Sequence, residues 1–159
     1  MLSLCVSITH QRLRVLGDDS ILANYAVSTA LAGAGERNGS GCTPRGAHYI
    51  RACIGADQPL GTVFVGRRPT GEVYSAELAE RHPERDWILT RILWLCGLEP
   101  GVNRGGQVDT QRRYIYIHGT PDSEPMGVPR SHGCIRMRNS DLLELFAQVR
   151  PGTPIMIEE

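Results

Sequence analysis

The sequence predicts a mainly β protein, built as a β-sandwich or a curled mixed sheet with two peripheral helices. Short runs of aliphatic, β-branched and aromatic residues recur along the chain, and clusters of Gly, Pro, Asn, Asp and Ser separate them. Only two stretches carry helical signals. The 159 residues suit a single domain, spanning 1–159, and 41% hydrophobic with 21% charged residues is ordinary for a globular protein.

Seven strands are predicted from these runs. They are residues 4–8, 13–16, 21–29, 47–54, 62–65, 114–117 and 154–157. The polar residues between the first two runs favour a β-hairpin. His48 lies within the fourth run and is interpreted as a surface histidine of that strand.

The two helices are predicted near the middle and the end of the chain. The first covers residues 87–96, with Asp86 as its N-cap. Its apolar residues are expected to pack on the sheet. The second covers residues 142–149, where Asp141 and Glu144 resemble a capping box.

The charge balance argues against a highly charged partner. Lys plus Arg and Asp plus Glu number 17 each, so no global field favours nucleic acid or an anionic membrane. No apolar stretch is long enough to span a bilayer. Residues 1–8 predict a strand rather than an export signal. If the chain is complete, this indicates the cytoplasm; if an export signal has been removed, the periplasm is the alternative.

The cysteines do not indicate a disulfide framework, because there are five of them at irregular spacing. Cys5, Cys53 and Cys96 lie in apolar segments, where thiols usually act as small core residues. Cys42 lies in a glycine-rich loop and is expected to be exposed. Cys134 follows a histidine and a glycine, a setting that indicates chemistry instead.

Chemistry-bearing residues concentrate in residues 115–137. A β-branched and aromatic strand ends at His118-Gly119, where glycine lets the backbone turn away. Residues 120–130 are rich in Pro, Gly, Asp and Ser and predict a surface loop. The loop returns Ser131-His132-Gly133-Cys134 to the end of the same strand, so His118 and Cys134 are expected to lie within reach of each other.

This pairing is typical of nucleophilic catalysis. A thiol pKa of about 8.5 leaves Cys134 mostly protonated at neutral pH, and the His118 imidazole is the expected base. The N–H groups around His132, Gly133 and Cys134 are expected to stabilise an oxyanion, at about 3 kcal/mol of barrier for one donor. No Asp or Asn presents itself as a partner for His118, so a backbone carbonyl such as that of Gly119 is expected to fix its tautomer.

Arginines flank the cysteine motif. Arg130, Arg136 and Arg138 are expected there if a substrate carboxylate must be held, since a guanidinium binds carboxylates through a two-pronged fork. The alternative is solvated surface charge, which is favoured more for Arg138 than for Arg136. Residues 101–113 predict a loop that leads into the catalytic strand and borders the cleft. The residues expected there are Asn103, Arg104 and Gln107.

These motifs resemble those of the L,D-transpeptidase (YkuD-type) catalytic domains over nearly the whole chain. The resemblance rests on His118-Gly119-Thr120, on Ser131-His132-Gly133-Cys134-Ile135-Arg136-Met137, on Asn139 and Asp141, and on Thr43-Pro44-Arg45-Gly46 upstream. It implies a YkuD-like fold with Cys134 as the acylated nucleophile, His118 as the base and Gly119 as its carbonyl partner. The oxyanion and substrate contacts that it implies are Ser131, His132, Gly133, Arg136 and Arg130.

The resemblance also implies the substrate, a peptidoglycan stem tetrapeptide or muropeptide cut between the L-centre of the third-position diamino acid and the terminal D-Ala. Transfer to water would make an L,D-carboxypeptidase, which is favoured for recycled muropeptides in the cytoplasm. Transfer to an amine would make a transpeptidase that forms 3-3 cross-links or attaches wall proteins. A non-catalytic muropeptide sensor is a further alternative.

No cofactor is expected. His118, His132 and Cys134 are possible zinc ligands, but no Cys-x-x-Cys or His-Glu-x-x-His spacing accompanies them, so a metal site is disfavoured. The oligomeric state is not indicated by the sequence.

Overall fold

The structure, a computed structural model, describes residues 1–159 and contains ten strands and two helices. The strands are β1 (Ser3–Ser7), β2 (Arg12–Leu16), β3 (Ile21–Ser28), β4 (Gly46–Ile54), β5 (Thr62–Val65), β6 (Arg68–Val73), β7 (Leu89–Gly97), β8 (Tyr116–Gly119), β9 (Ile135–Met137) and β10 (Pro154–Glu158). The helices are α1 (Ala76–Arg81) and α2 (Asn139–Gln148). The prediction of a mainly β protein with two helices is confirmed.

All ten strands belong to one mixed sheet that curls back on itself. The strand order is β4-β10-β1-β2-β3-β9-β8-β7-β5-β6, and β4 also pairs with β7, which closes a barrel-like ring. The β1–β10 and β8–β9 pairs are parallel, and the other pairs are antiparallel. Of the two forms expected from the sequence, the curled sheet is therefore the one that is found. The β5–β6 hairpin extends beyond the ring at the β7 edge.

The core lies inside this ring, because alternate side chains of each strand point inward. In β2, for example, Leu13 and Val15 are fully buried while their neighbours are only partly covered. Ile117 of β8 and Ile135 of β9 belong to the same buried cluster. The helix α2 adds Leu142 to it. This packing fixes β8 and β9, the two strands that carry the motif residues.

One helix prediction is wrong. Residues 87–96 do not form a helix, and most of them belong to strand β7, whose side chains are buried except for a half-exposed Trp94. A central strand that is covered on both faces reads as a continuous apolar run, which periodicity alone does not separate from a buried helix. Asp86 is consequently not an N-cap. The other helix is instead α1, a six-residue helix capped by the Ser75 hydroxyl, which accepts from the Leu78 N–H at 3.1 Å.

The helix predicted at residues 142–149 is confirmed as α2. It begins three residues earlier than predicted, and its N-cap Arg138 makes no side-chain capping hydrogen bond, so the capping box at Asp141 and Glu144 does not form. The Glu144 carboxylate instead accepts from the Tyr25 hydroxyl at 3.3 Å. Neither helix is long and apolar enough to cross a lipid bilayer.

Two strands and one histidine differ from the prediction. Strand β6 lies where a polar turn was expected, and β9 lies within the motif region, where no strand was expected. His48 is buried rather than on the surface, with its Nε2 2.8 Å from the Thr110 hydroxyl. A short strand such as β9 has too few residues to show an alternating pattern of its own.

Candidate active site

The parallel pairing of β8 with β9 brings the two halves of the motif together. The register sets Ile117 opposite Ile135 and His118 opposite Arg136. Because successive side chains alternate between faces, the isoleucines enter the core and His118 and Arg136 share the other face. Cys134, directly before β9, lies on this second face, within a cleft of about 500 Å³. The cleft is lined by Gly66, Arg67, Asp86, Ile88, Arg113, Tyr114, Ile115, Tyr116, His118, Ser131, His132, Cys134 and Arg136.

His118 is buried and carries a defined tautomer. Its Nδ1 lies 2.6 Å from the Gly119 carbonyl oxygen, the contact expected from the sequence. A carbonyl oxygen only accepts hydrogen bonds, so Nδ1 carries the proton and Nε2 holds a free lone pair. Burial lowers the pKa of His118, and this outweighs the Gly119 carbonyl and the Asp86 charge, which raise it. The imidazole is therefore neutral and able to accept a proton.

Gly119 occupies a position with no room for a side chain. A Cβ there would overlap the Asn139 side-chain oxygen and lie 2.6 Å from the Leu89 carbonyl oxygen. Asn139 is itself held in place, because its oxygen accepts from the Thr90 hydroxyl at 2.6 Å and its amide donates to the Thr120 carbonyl at 3.0 Å. This buried network fixes the carbonyl that orients the imidazole.

The Cys134 sulfur is held by backbone groups of the neighbouring chain. The Tyr116 N–H donates to it at 3.3 Å, and the thiol donates to the Tyr114 carbonyl at 3.4 Å. The side chain is partly accessible, yet protein atoms surround it closely, and this burial raises the pKa of the Cys134 thiol to about 12. No hydrogen bond joins it to His118. In the resting site both groups are therefore neutral.

Hydrogen bonds within the motif loop leave two of the three expected oxyanion donors free. The buried Ser131 hydroxyl donates to the Cys134 carbonyl and accepts from the Gly133 N–H at 3.2 Å, so that N–H is occupied. The N–H groups of His132 and Cys134 bind no protein acceptor. Thr43, in the upstream turn, donates to the Gly133 carbonyl at 2.8 Å and secures the loop from the other side.

Asp86 is a site residue that the sequence did not indicate, because it was interpreted as a helix cap. Its carboxylate lies 3.1 Å from the Arg136 guanidinium and 3.2 Å from Nδ1 of His132. Arg136 is buried, lies 3.9 Å from the Glu124 carboxylate, and keeps its Nε without a partner. No local sequence pattern connects Asp86 with a motif that lies far along the chain.

A second cavity of about 400 Å³ adjoins the cleft, and Asp86, His132 and Arg136 line both. Arg130 lines only this second cavity, and its side chain is exposed. The acidic residues in its lining, besides Asp86, are Glu84 and Glu124.

The residues expected along the cleft border lie elsewhere. Asn103 is buried, and its amide donates to the Arg45 and Ala47 carbonyls at 3.0 and 3.1 Å. Neither Arg104 nor Gln107 lines the cleft. Arg113, at the end of the same loop, is the residue that does so, and it donates to the Cys42 carbonyl at 2.6 Å. No cluster of three or more His, Cys, Asp or Glu side chains suited to a metal ion is found.

Comparison with known proteins gives a consistent family assignment. Residues 3–157 match the YkuD model, described as the L,D-transpeptidase catalytic domain. The probable L,D-transpeptidase YbiS of Escherichia coli K12 is 30% identical over 103 residues, which cover 64% of this chain and 33% of that protein. The chain spans a third or less of the length of the curated relatives that it matches.

Solved structures show the same fold. An L,D-transpeptidase from Mycobacterium smegmatis superposes with a TM-score of 0.57 at 20% identity, covering 99% of this chain and 58% of that one. L,D-transpeptidase 3 from Mycobacterium tuberculosis, in complex with a faropenem-derived adduct, gives a TM-score of 0.61 at 15% identity, covering 99% and 60%. At these identities the likeness carries the fold alone.

Proposed function

Because the chain belongs to the YkuD family of L,D-transpeptidase catalytic domains, we propose that it catalyses cysteine-dependent acyl transfer on peptidoglycan stem tetrapeptides. One observation carries this proposal: a neutral, buried His118 with a free Nε2 lone pair lines the same cleft as the Cys134 thiol. The bond to be cut joins the L-centre of the third-position diamino acid to the terminal D-Ala.

Acylation of Cys134 follows from this arrangement. His118 Nε2 accepts the thiol proton while the sulfur attacks the carbonyl carbon of the diamino acid. The carbonyl oxygen becomes an oxyanion, for which the unoccupied N–H groups of His132 and Cys134 are the available backbone donors. Collapse of this intermediate breaks the C–N bond, and the imidazolium gives its proton to the departing D-Ala amine. A thioester on Cys134 remains.

Deacylation repeats these steps with a second substrate. Water or an amine attacks the thioester and gives its proton to His118, and the sulfur regains a proton as it leaves. Water yields a tripeptide, the L,D-carboxypeptidase reaction, which needs only the donor cleft. An amine yields a cross-linked product. The adjoining cavity of about 400 Å³ supports an amine as a second candidate, because it is a second polar site beside the cleft. Its lining includes carboxylates and guanidinium groups in equal number: Glu84, Asp86, Glu124, Arg85, Arg130 and Arg136.

The test uses a disaccharide tetrapeptide, intact-mass analysis and product chromatography. We expect a transient mass increase at Cys134 and release of D-Ala, and both should be lost in Cys134→Ala. Cys42→Ala is the matched control, since Cys42 is a partly accessible cysteine in a loop next to the motif, and this variant should keep activity.

The products distinguish the alternatives. Tripeptide supports the carboxypeptidase, and cross-linked dimer supports the transpeptidase. Binding of the tetrapeptide with neither adduct nor product would contradict acyl transfer and leave a muropeptide sensor. Activity that survives in Cys134→Ala would contradict the assignment of the nucleophile.

A further inference from the structure

An arginine and three aromatic rings form a clamp at the mouth of the cleft. Arg67 places its guanidinium carbon 4.8 Å from the ring centroid of Trp94 and 4.8 Å from that of Tyr114. One of its N–H groups donates to the Tyr116 hydroxyl at 3.1 Å. Stacking between rings holds a guanidinium in one orientation and leaves its edge free for further hydrogen bonds.

The backbone at Arg67 adopts a conformation that side chains usually avoid. Gly66 and Arg67 are the central residues of the β5–β6 hairpin, with φ of 56° and 64°, the pattern of a type I′ turn. Asn and Gly are favoured at such positions, so an arginine here is held in a strained conformation. Strain of this kind often accompanies a side chain that is needed at a particular place.

Arg67 is also the arginine of the cleft whose hydrogen-bonding capacity is least used. The Arg136 guanidinium pairs with Asp86, and that of Arg113 donates to backbone carbonyls. Arg67 pairs with no carboxylate and makes a single hydrogen bond, although a guanidinium has five N–H groups. Its charge therefore faces the cleft without a counter-charge.

The clamp is joined directly to the nucleophile. Tyr114, which stacks on Arg67, supplies the carbonyl that accepts from the Cys134 thiol. Tyr116, which binds the Arg67 side chain, supplies the N–H that donates to the Cys134 sulfur. When a peptide carbonyl lies against this sulfur, the charged groups that are a few bonds away from that carbonyl would lie near the clamp.

We propose that Arg67 determines specificity by binding a carboxylate of the donor stem peptide, an inference that rests on the proposed acyl transfer. The planar fork of a guanidinium matches the two oxygens of a carboxylate. Two carboxylates of a tetrapeptide lie close enough to the scissile bond. One is the terminal carboxylate of D-Ala, and the other, in a diamino acid that has one, is the carboxylate of its side chain.

The test combines a variant with modified substrates. Arg67→Gln removes the charge, and Arg68→Gln is the matched control, because Arg68 is the next residue of the same hairpin, is exposed and does not line the cleft. Three tetrapeptides are compared: one with both carboxylates free, one with the side-chain carboxylate as an amide, and one with the terminal carboxylate as an amide. Both kcat/KM and thermal unfolding are measured.

We expect Arg67→Gln to lower kcat/KM for the free tetrapeptide by about 10- to 100-fold, and Arg68→Gln by less than about twofold. Amidation of the carboxylate that Arg67 binds should cause a similar loss in the wild type and no further loss in Arg67→Gln. The amide that behaves in this way identifies which carboxylate is bound. An equal loss on all three peptides, or no loss, would overturn the proposal.

The same comparison is made by calorimetric binding in a Cys134→Ala background, so that the result does not depend on turnover. Arg67→Gln should weaken the binding of only those peptides in which the carboxylate bound by Arg67 is free. This result supports the carboxylate site even if the wild type forms no product. In that case the acyl-transfer proposal fails while the inference on Arg67 stands. Unchanged affinity on Arg67→Gln would overturn the inference while leaving the chemistry of Cys134 unaffected.

Discussion

Replacing His118 with glutamine should lower acyl transfer by about 10²- to 10⁴-fold and leave the alkylation of Cys134 nearly unchanged. In the resting site the thiol donates to the Tyr114 carbonyl and makes no hydrogen bond to the imidazole. Burial, the Tyr116 N–H and the charges of Asp86, Arg136 and Arg113 set the thiol pKa, and His118 is not among its causes. As the proposed base, His118 would therefore act only when the proton moves during the reaction.

The expected changes in rate follow from the raised pKa of the Cys134 thiol and from the usual contribution of a general base. A thiol pKa of about 12, against 9.0 for an unperturbed thiol, leaves roughly a thousandfold less thiolate at neutral pH. Alkylation of Cys134 by a neutral reagent should therefore be about a thousandfold slower than for an exposed cysteine, because only the thiolate reacts. Loss of a general base typically lowers turnover by about 10²- to 10⁴-fold.

The assay follows each cysteine separately by peptide mass spectrometry after iodoacetamide treatment between pH 6 and about 10. The Cys42 peptide from the same digest serves as an internal reference, since its side chain is partly accessible. Wild type and His118→Gln should give the same alkylation profile for Cys134, with a rate that keeps rising across the range. Tripeptide or dimer formation is measured in parallel on untreated aliquots of the same preparations.

An alkylation plateau below pH 8 in the wild type, lost in His118→Gln, would refute this reasoning. It would mean that the resting pair is a thiolate and an imidazolium, with the proton already on His118. The substitution would then lower alkylation and turnover together. A neutral pair predicts instead that His118→Gln lowers turnover while the alkylation of Cys134 stays nearly unchanged.

Two further predictions concern the surroundings of the pair. Gly119→Ala should lower the free energy of unfolding, measured in urea, by about 1–3 kcal/mol, because the new Cβ would meet the fixed Asn139 side-chain oxygen and the Leu89 carbonyl. In the control Gly17→Ala the new Cβ would meet only the flexible Leu22 side chain at 3.4 Å, so the free energy should change by less than about 1 kcal/mol. Asp86→Asn should shift both the acid limb of the pH–turnover profile and the alkylation profile of Cys134 to lower pH, because the Asp86 charge raises the pKa of His118 and of the thiol. The control Glu84→Gln should leave both profiles in place.

The sequence predicted the parts of the site that depend on local chemistry. A strand that ends at His118-Gly119 and a polar loop that returns to Cys134 are properties of neighbouring residues, and the structure places both side chains in one cleft. The Gly119 carbonyl was expected as the partner of His118 for the same reason, since no side chain nearby offered an alternative.

The sequence predicted the structure less well where a strand is buried on both of its faces, and where a contact joins residues that are far apart in the chain. Strand β7 was taken for a helix because it has almost no exposed face, and only its pairing with β4, β5 and β8 reveals its nature. Asp86 lies directly before residues 87–96, the segment predicted as a helix, so the same error concealed its pairing with Arg136. The clamp around Arg67 joins the turn between β5 and β6, strand β7 and the segment 114–116 that leads into β8, and no single segment contains a pattern for it.

The short segment that ends in β8 connects recognition with chemistry. Tyr114 and Tyr116 hold the Cys134 sulfur through backbone groups and hold Arg67 through their rings and hydroxyl. Two residues further on lies His118, the proposed base. A carboxylate bound at Arg67 would therefore lie beside the residues that position the Cys134 sulfur, so donor recognition and the position of the sulfur would depend on one segment rather than on separate loops.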